Sequence, residues 1–195
     1  MLLKSADDKS KRLTLLDDLQ CSQMLDSFQR KWLYDEFMRL EKEIQGEAES
    51  ADYINQYFKE DSKNYVILHD LRFVIEGEVT HIDHLIITRA SNIYLLETKN
   101  YPCNFIINAH GEFTTEYEGV RLSIRSPLEQ SQRHERVLCK FFEHLSISGR
   151  TQKLPEFYHV VMLHPHATIE RPASKVFDTS NVIKVDELAV WHKNF

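Results

Sequence analysis

At 195 residues and 42% hydrophobic content, the chain is long enough for one domain with its own core, which excludes disorder throughout. The net charge of −6 argues against a protein that coats nucleic acid nonspecifically, because phosphate binding relies on clustered Lys and Arg. No apolar stretch approaches the roughly 20 residues of a membrane span, so we expect a soluble, cytoplasmic protein. Its widely separated cysteines predict free thiols rather than a disulfide framework or a zinc knuckle; they are Cys21, Cys103 and Cys139.

The N-terminal part of the chain is predicted to be helical. Between residues 22 and 44, apolar residues recur at steps of three and four, as one buried helix face requires. Gly46 is expected to interrupt this helix, and helical spacing resumes over residues 47–58. Residues 1–20 are expected to form a short helix around residues 13–19 or a mobile tail. We therefore expect residues 1–44 to be a helical appendage, which could contact a second copy or a protein partner, and residues 45–195 to be the functional domain.

The middle of the chain changes to short β-branched and aromatic runs, which predict strands. The connections between them are brief and contain turn residues such as Gly77, so consecutive strands are expected to form an antiparallel meander. The predicted strands are residues 65–74, 79–88, 92–99, 105–108, 112–117 and 120–124.

Helical signals return after residue 125. Ser126 at the cap, Pro127 at the first helical position and Glu129 at the third are typical of a helix start, and we expect this helix to reach about residue 146. A core strand is predicted over residues 157–163. An edge strand over residues 182–185 and a short helix over residues 186–192 follow. The alternation of helices and strands predicts a mixed α/β fold.

Two of the predicted strands carry charged residues on faces that are otherwise apolar. Strand alternation puts Glu97 and Lys99 on one face of the strand at residues 92–99. In the preceding predicted strand, Asp83 is a charged residue among apolar ones, and alternation puts it on the same face as Leu85. Burying a charge costs free energy unless the charge is paired or binds an ion, so these positions are candidates for a site.

If the two strands are neighbours, Asp83 and Glu97 can converge at one end of the sheet as two oxygen ligands suited to Mg²⁺ or Mn²⁺. Lys99 would lie beside them. A metal-activated water and a nearby cation are what phosphodiester hydrolysis requires, so the pattern favours a nuclease. Spacing alone equally allows a simple ion pair at a strand end, with Asp83 as a turn cap.

Several segments match, in order, the motifs of one nuclease family. They resemble its Gly-Glu pair, its first core strand, its Gln-Ile-Asp-His, its Ile-Tyr-Val-Ile-Glu-Thr-Lys-Asn and its Asn-Pro-x-x-Gln. The segments are Gly46-Glu47, Val66-Ile67-Leu68-His69-Asp70-Leu71, His81-Ile82-Asp83-His84, Ile93-Tyr94-Leu95-Leu96-Glu97-Thr98-Lys99-Asn100 and Ser126-Pro127-Leu128-Glu129-Gln130, with His134 one turn later. Over residues 46–145 the chain thus resembles the nuclease-related domain, a branch of the PD-(D/E)xK nuclease superfamily.

The resemblance implies a restriction-endonuclease-like core, a central mixed sheet flanked by helices. It implies that Asp83 and Glu97 bind Mg²⁺ or Mn²⁺, that Lys99 positions or activates the attacking water, that Glu47 adds an acid and that Gln130 approaches the same site. The implied substrate is nucleic acid, and we expect it to be DNA. Two departures are His81, where the family commonly has Gln, and the absence of a glycine soon after Lys99.

Three other interpretations concern the surroundings of this site. Residues 121–195 form the only net-basic third of the chain, and we expect Arg133, Arg136 and Lys140 to contact phosphates. A solvated helix face explains the same residues equally well. A zinc site built from His81 and His84 with His164 and His166 is disfavoured. His81 and His84 point to opposite faces of a strand, and His164 and His166 are expected in a loop after a core strand. The stronger alternative is a DNA-binding or protein-interaction module on the same fold that cleaves weakly or not at all.

Overall fold

The computed structural model describes residues 1–61, 63–147 and 155–194. Within these ranges it has four α-helices, α1 (Ser10–Gln20), α2 (Ser27–Phe58), α3 (Pro127–His144) and α4 (Leu188–Lys193), the last preceded by a 3-10 turn at Val185–Glu187. Its strands are β1 (Leu2–Lys4), β2 (Tyr65–Ile75), β3 (Glu78–Thr88), β4 (Ile93–Lys99), β5 (Asn104–Ile107), β6 (Phe113–Tyr117), β7 (Val120–Ile124), β8 (Phe157–Leu163), β9 (Thr168–Glu170) and β10 (Val182–Lys184).

Helix α2 is continuous, so the prediction of a break at Gly46 is wrong. A capping box between Asp26 and Gln29 starts the helix, and it runs for 32 residues. At residue 46 a Cβ atom would lie only 2.8 Å from the Cβ of Asn100, so glycine lets the helix approach the end of β4. The predicted boundary between residues 44 and 45 lies inside this helix, which joins the two parts without a linker.

A six-stranded mixed sheet forms the centre of the molecule, in the order β1-β2-β3-β4-β8-β10. Strands β2, β3 and β4 form the predicted antiparallel meander, whereas β4, β8 and β10 run parallel to one another. The predictions of β8 as a core strand and of β10 as an edge strand are confirmed. The N-terminal β1, which pairs parallel with β2, was not predicted.

After β4 the chain enters a second, four-stranded sheet in the order β7-β6-β5-β9. The prediction of one meander through all six runs is therefore wrong at this point, although β5, β6 and β7 form a meander of their own. The buried residues Phe105 and Phe113 pack against Val161 and Leu163 of the central sheet, so burial of these aromatic rings directs the chain away from β4.

Two helices cover opposite faces of the central sheet. Helix α2 buries Ile54 and Phe58 on one face, in a cluster with Leu96 of β4. Helix α3 buries Leu138 on the other face, where it packs with Leu95 of the same strand. The fold is therefore the predicted mixed α/β architecture, a sheet with helices on both sides. In the described part of the chain no helix combines the length and apolar character needed to cross a membrane.

Candidate active site at the end of strands β3 and β4

The pairing of β2 with β3 is interrupted at one position. His69 pairs with His84 and Leu71 pairs with Ile82, which leaves Asp70 and Asp83 facing each other between these pairs. Asp70 has a left-handed backbone with φ of 53°, which is uncommon for a residue other than glycine. The strand faces also shift here, since Ile82 and Leu85 lie in the same core cluster although they are three residues apart. Strict alternation therefore does not extend from Ile82 to Leu85, because the ladder between β2 and β3 is interrupted between these residues.

The pairing of β3 with β4 ends one step before Asp83 and Glu97. Its last pair is His84 with Leu96, and beyond it the backbone N–H of Thr98 donates to Oδ2 of Asp83 at 2.8 Å. The Asp83 side chain thus accepts the hydrogen bond from Thr98 at the point where the backbone pairing of β3 with β4 has ended. The two carboxylates lie at neighbouring positions of adjacent strands, and both are buried, at 6% and 3% exposure.

Lys99 is paired with Glu97 at the open end of β4. Its Nζ atom lies 2.6 Å from Oε1 of Glu97, while Oε2 of Glu97 has no hydrogen-bond partner among the residues that the structure describes. Nδ1 of His134 on α3 is 3.9 Å from that Oε2 atom. A buried carboxylate oxygen without a donor is costly, so this arrangement favours a ligand at Oε2.

Helix α2 brings Glu47 to the same end of the sheet. The side-chain amide of Asn100 donates to the carbonyl of Gly46 at 3.2 Å and to Oε2 of Glu49 at 2.9 Å. These bonds fasten the helix to the residue that follows β4. Glu47 is buried at 6% exposure, and its Oε2 atom accepts from Nζ of Lys9 at 2.7 Å.

One group of side chains in the described residues could hold a metal ion. Ligand atoms of Glu47, His81 and Asp83 all lie within 4.8 Å of one another. Nε2 of His81 lies 2.5 Å from Oδ1 of Asp70, and its Nδ1 lies 3.8 Å from Oδ1 of Asp83. Glu97 is outside this group of three atoms, and its Oε1 atom is held by Lys99.

The site contains more buried carboxylates than positively charged side chains to balance them. Burial, with the neighbouring charge of Glu97, raises the pKa of Asp83 to about 7. Burial likewise raises the pKa values of Glu47 and Glu97. Burial opposes the charge of Lys99, but Glu97 and Asp83 outweigh it and raise its pKa. A divalent cation would supply the missing charge, and the oxygen-rich donor set fits Mg²⁺ or Mn²⁺.

Helix α3 carries Gln130, which the resemblance predicts to approach the site. Gln130 is half-buried, and its side chain forms no hydrogen bond within the described residues, whereas His134 one turn later approaches Glu97. Of the predicted phosphate contacts, Arg133 and Arg136 are exposed on this helix. Lys140 is paired with Glu78 at 2.5 Å, which reduces its availability for phosphate.

Two residues of the site were missed by the sequence analysis. Lys9 reaches Glu47 and, at 3.3 Å, Asp70 only because β1 pairs with β2, and a lone lysine in a polar segment offered no signal. Asp70 accepts hydrogen bonds from His81 and from the backbone N–H of Asp7. Burial opposes its ionisation, but these donors lower the pKa of Asp70 to about 2. The sequence signal for Asp70 was its position as an aspartate inside a predicted strand.

The histidines do not form a zinc site of their own. His84 is buried against His69, with 2.9 Å between their Nδ1 atoms, and His69 also contacts Asn55 at 3.1 Å. Nδ1 of His164 accepts from the backbone N–H of His166 in the loop after β8. Among the histidines of the described residues, His81 is grouped with Glu47 and Asp83, and His134 approaches Glu97.

Comparison with known proteins identifies the family. The family model described as the nuclease-related domain matches residues 42–164, which include β2 to β8 and the candidate site at the ends of β3 and β4. No curated protein and no solved structure gave a match. The family match spans more than half of the chain and covers Glu47, Asp83, Glu97 and Lys99. The chain belongs to the nuclease-related domain family.

Proposed function

We propose that this protein is a nuclease that uses a divalent cation, Mg²⁺ or Mn²⁺, to hydrolyse phosphodiester bonds in nucleic acid, with DNA as the substrate. The observation that carries the proposal is the cluster of buried carboxylates at the ends of β3 and β4. There Glu47, Asp83 and Glu97 converge, and Lys99 is in contact with Glu97. Such a set is costly for stability and suited to phosphoryl chemistry.

In this proposal Asp83 and Glu97 hold the cation, and Glu47 supports it from α2. The cation, when bound, acidifies a water and offsets the charge of the phosphate under attack. The backbone N–H of Thr98 fixes one oxygen of Asp83, so the other is free to act as a ligand. Lys99 projects beside Glu97, where its ammonium group can hold a water or a phosphate oxygen while negative charge develops.

Substrate would approach from the side of helix α3. Arg133 and Arg136 are exposed there, one and two residues from the buried His134 that faces Glu97. Their guanidinium groups suit bidentate contact with phosphate oxygens. We assign them to backbone positioning, which carries no sequence information of its own. Gln130 lies at the start of the same helix and is assigned to the rim of the site.

The decisive experiment is cleavage of plasmid and single-stranded DNA with Mg²⁺ or Mn²⁺, with chelator as the blank. We expect cleavage by wild type, none in chelator, and none by Asp83→Asn. Asp35→Asn, an exposed carboxylate on α2, is the matched control and should cleave like wild type. DNA binding by wild type without cleavage in either metal would support the non-cleaving module instead.

Metal binding is tested separately by calorimetry. Wild type should bind weakly, because two carboxylates leave room for water and phosphate, and affinity should rise when nucleic acid is present. The double variant Asp83→Ala with Glu97→Ala should lose this binding. Equal affinities in wild type and the double variant would contradict the assignment of these two ligands.

A further inference from the structure

His81 has one ring nitrogen engaged and the other turned toward the acidic group. Its Nε2 atom lies 2.5 Å from Oδ1 of Asp70. Asp70 also receives the Nζ atom of Lys9 and the backbone N–H of Asp7, so its carboxylate is an acceptor and Nε2 of His81 carries the proton. In the neutral ring the lone pair is then on Nδ1. That atom lies 3.8 Å from Oδ1 of Asp83, which is longer than a hydrogen bond.

The orientation of this imidazole is held by the fold rather than by solvent. Asp70 sits in a left-handed conformation within β2, and Asp7 binds its Oδ2 atom at 3.0 Å. The N-terminal segment that supplies Asp7 and Lys9 is itself anchored, because β1 pairs with β2. A carboxylate that accepts from one nitrogen of a histidine while the other nitrogen faces ligand oxygens is the usual support of a metal-binding histidine.

We propose that His81 binds the divalent cation of this site through Nδ1, together with Glu47 and Asp83, and that it makes the site prefer a first-row transition ion such as Mn²⁺ over Mg²⁺. Asp70 is the positioning residue for the imidazole. The inference rests on the proposed function for the presence of a cation, and it adds an imidazole ligand beside the carboxylates and the ion preference. Carboxylates alone suit Mg²⁺ well, whereas imidazole nitrogen favours transition ions over Mg²⁺.

Direct detection of nitrogen on the metal tests the inference without any need for activity. Mn²⁺ is added to the full chain, and pulsed electron paramagnetic resonance records the coupling between Mn²⁺ and imidazole nitrogen. We expect this coupling in wild type and its loss in His81→Gln. His110→Gln changes an exposed histidine at a β-turn and should keep the coupling.

Calorimetry with Mn²⁺ and Mg²⁺ measures the preference. Wild type should bind Mn²⁺ about tenfold or more tightly than Mg²⁺, and His81→Gln should reduce this ratio to near one, because glutamine offers an oxygen instead of a nitrogen. Asp70→Asn keeps the imidazole but weakens its support, and should lower Mn²⁺ affinity about tenfold. Thermal melting of each variant checks the fold, and Asp70→Asn provides an independent test if His81→Gln does not fold.

The outcomes separate the inference from the function on which it rests. Mn²⁺ binding that depends on Asp83 but shows no nitrogen coupling, and is unchanged in His81→Gln, would overturn the role of His81 and leave the metal site standing. Failure of wild type to bind either ion, in the presence or absence of DNA, would overturn both.

Discussion

Two buried polar pairs lie side by side on strands β2 and β3, and they meet the cost of burial in different ways. His69 and His84 contact each other through their Nδ1 atoms, and both rings are kept neutral. At the next position Asp70 and Asp83 face each other. Together with Glu47 and Glu97 they make four carboxylates, beside the two lysines paired with this group, Lys9 and Lys99. Two neutral groups can satisfy each other's hydrogen-bonding needs inside the protein. An excess of buried negative charge instead requires a cation from outside, which is why the acidic pair points to function and the histidine pair to structure.

The largest effect is expected on cleavage, from substitution of Lys99 beside the buried carboxylates. Lys99→Met should abolish cleavage, with a loss of about 10²–10³-fold or more, because it removes the cation beside Glu97 and keeps most of the side-chain volume. Fold and most DNA binding should be retained. Cleavage and thermal melting on the same preparation measure both properties. A large fall in melting temperature with nearly normal cleavage would make Lys99 a structural ion-pair partner.

The pH dependence of stability should have opposite signs for one residue of each pair, His69 and Asp83. Burial lowers the pKa of His69 to about 4, so the unfolded chain binds a proton first and stability is lost as pH falls from about 6.5 to 4. The loss should reach about 3 kcal/mol for this residue. The pKa of Asp83 is raised to about 7, so its contribution is present below about 3.8 and is lost as pH rises toward 7.

Denaturant unfolding between pH 4 and 7.5, without metal, measures both slopes. His69→Gln should flatten the loss on the acidic side, and Asp83→Asn should remove the loss on the neutral side. Metal affinity should be unchanged in His69→Gln. If either substitution left the pH profile as in wild type, the corresponding pair would not have the protonation behaviour inferred here.

A smaller effect is expected at Lys9, which partly offsets the acidic group. Burial opposes its charge, but Glu47 and Asp70 raise the pKa of Lys9, so it is a fixed cation in this site. Lys9→Met should weaken stability without metal and increase Mn²⁺ affinity by roughly tenfold, because the cation then faces more uncompensated charge. Lys11→Met, at an exposed position of α1, is the control. Calorimetry that shows no gain for Lys9→Met would remove Lys9 from the charge balance of the site.

The smallest effect is expected on helix α3. Replacing Arg133, Arg136 and Lys140 with Ala should weaken DNA binding across sequences and flatten its salt dependence. Because Lys140 is paired with Glu78, the slope should fall by about two contacts rather than three. Lys140→Ala alone therefore serves as the internal control and should leave the slope nearly unchanged. An unchanged slope in the triple variant would refute the basic patch.

Local patterns determined most of the elements of this protein. The strands at β2, β3, β4 and β8 follow from runs of β-branched residues, and α3 follows from the cap at Ser126 and Pro127. The ordered motifs also led to the family, which the match over residues 42–164 confirmed. These signals lie within short stretches of chain, so they can be detected without knowledge of the fold.

Only the tertiary structure decided how distant segments meet. Gly46 looked like a helix breaker, yet it serves close packing against Asn100, a residue far away in sequence. Lys9 and Asp70 join the acidic group because β1 pairs with β2 and because the backbone of Asp70 leaves the strand conformation. Periodicity describes which face of an element is apolar, but it cannot reveal where a ladder is interrupted or which charge from another segment fills the gap. That is the physical reason why Asp83, Glu97 and Lys99 could be selected from sequence, while Lys9 and Asp70 could not.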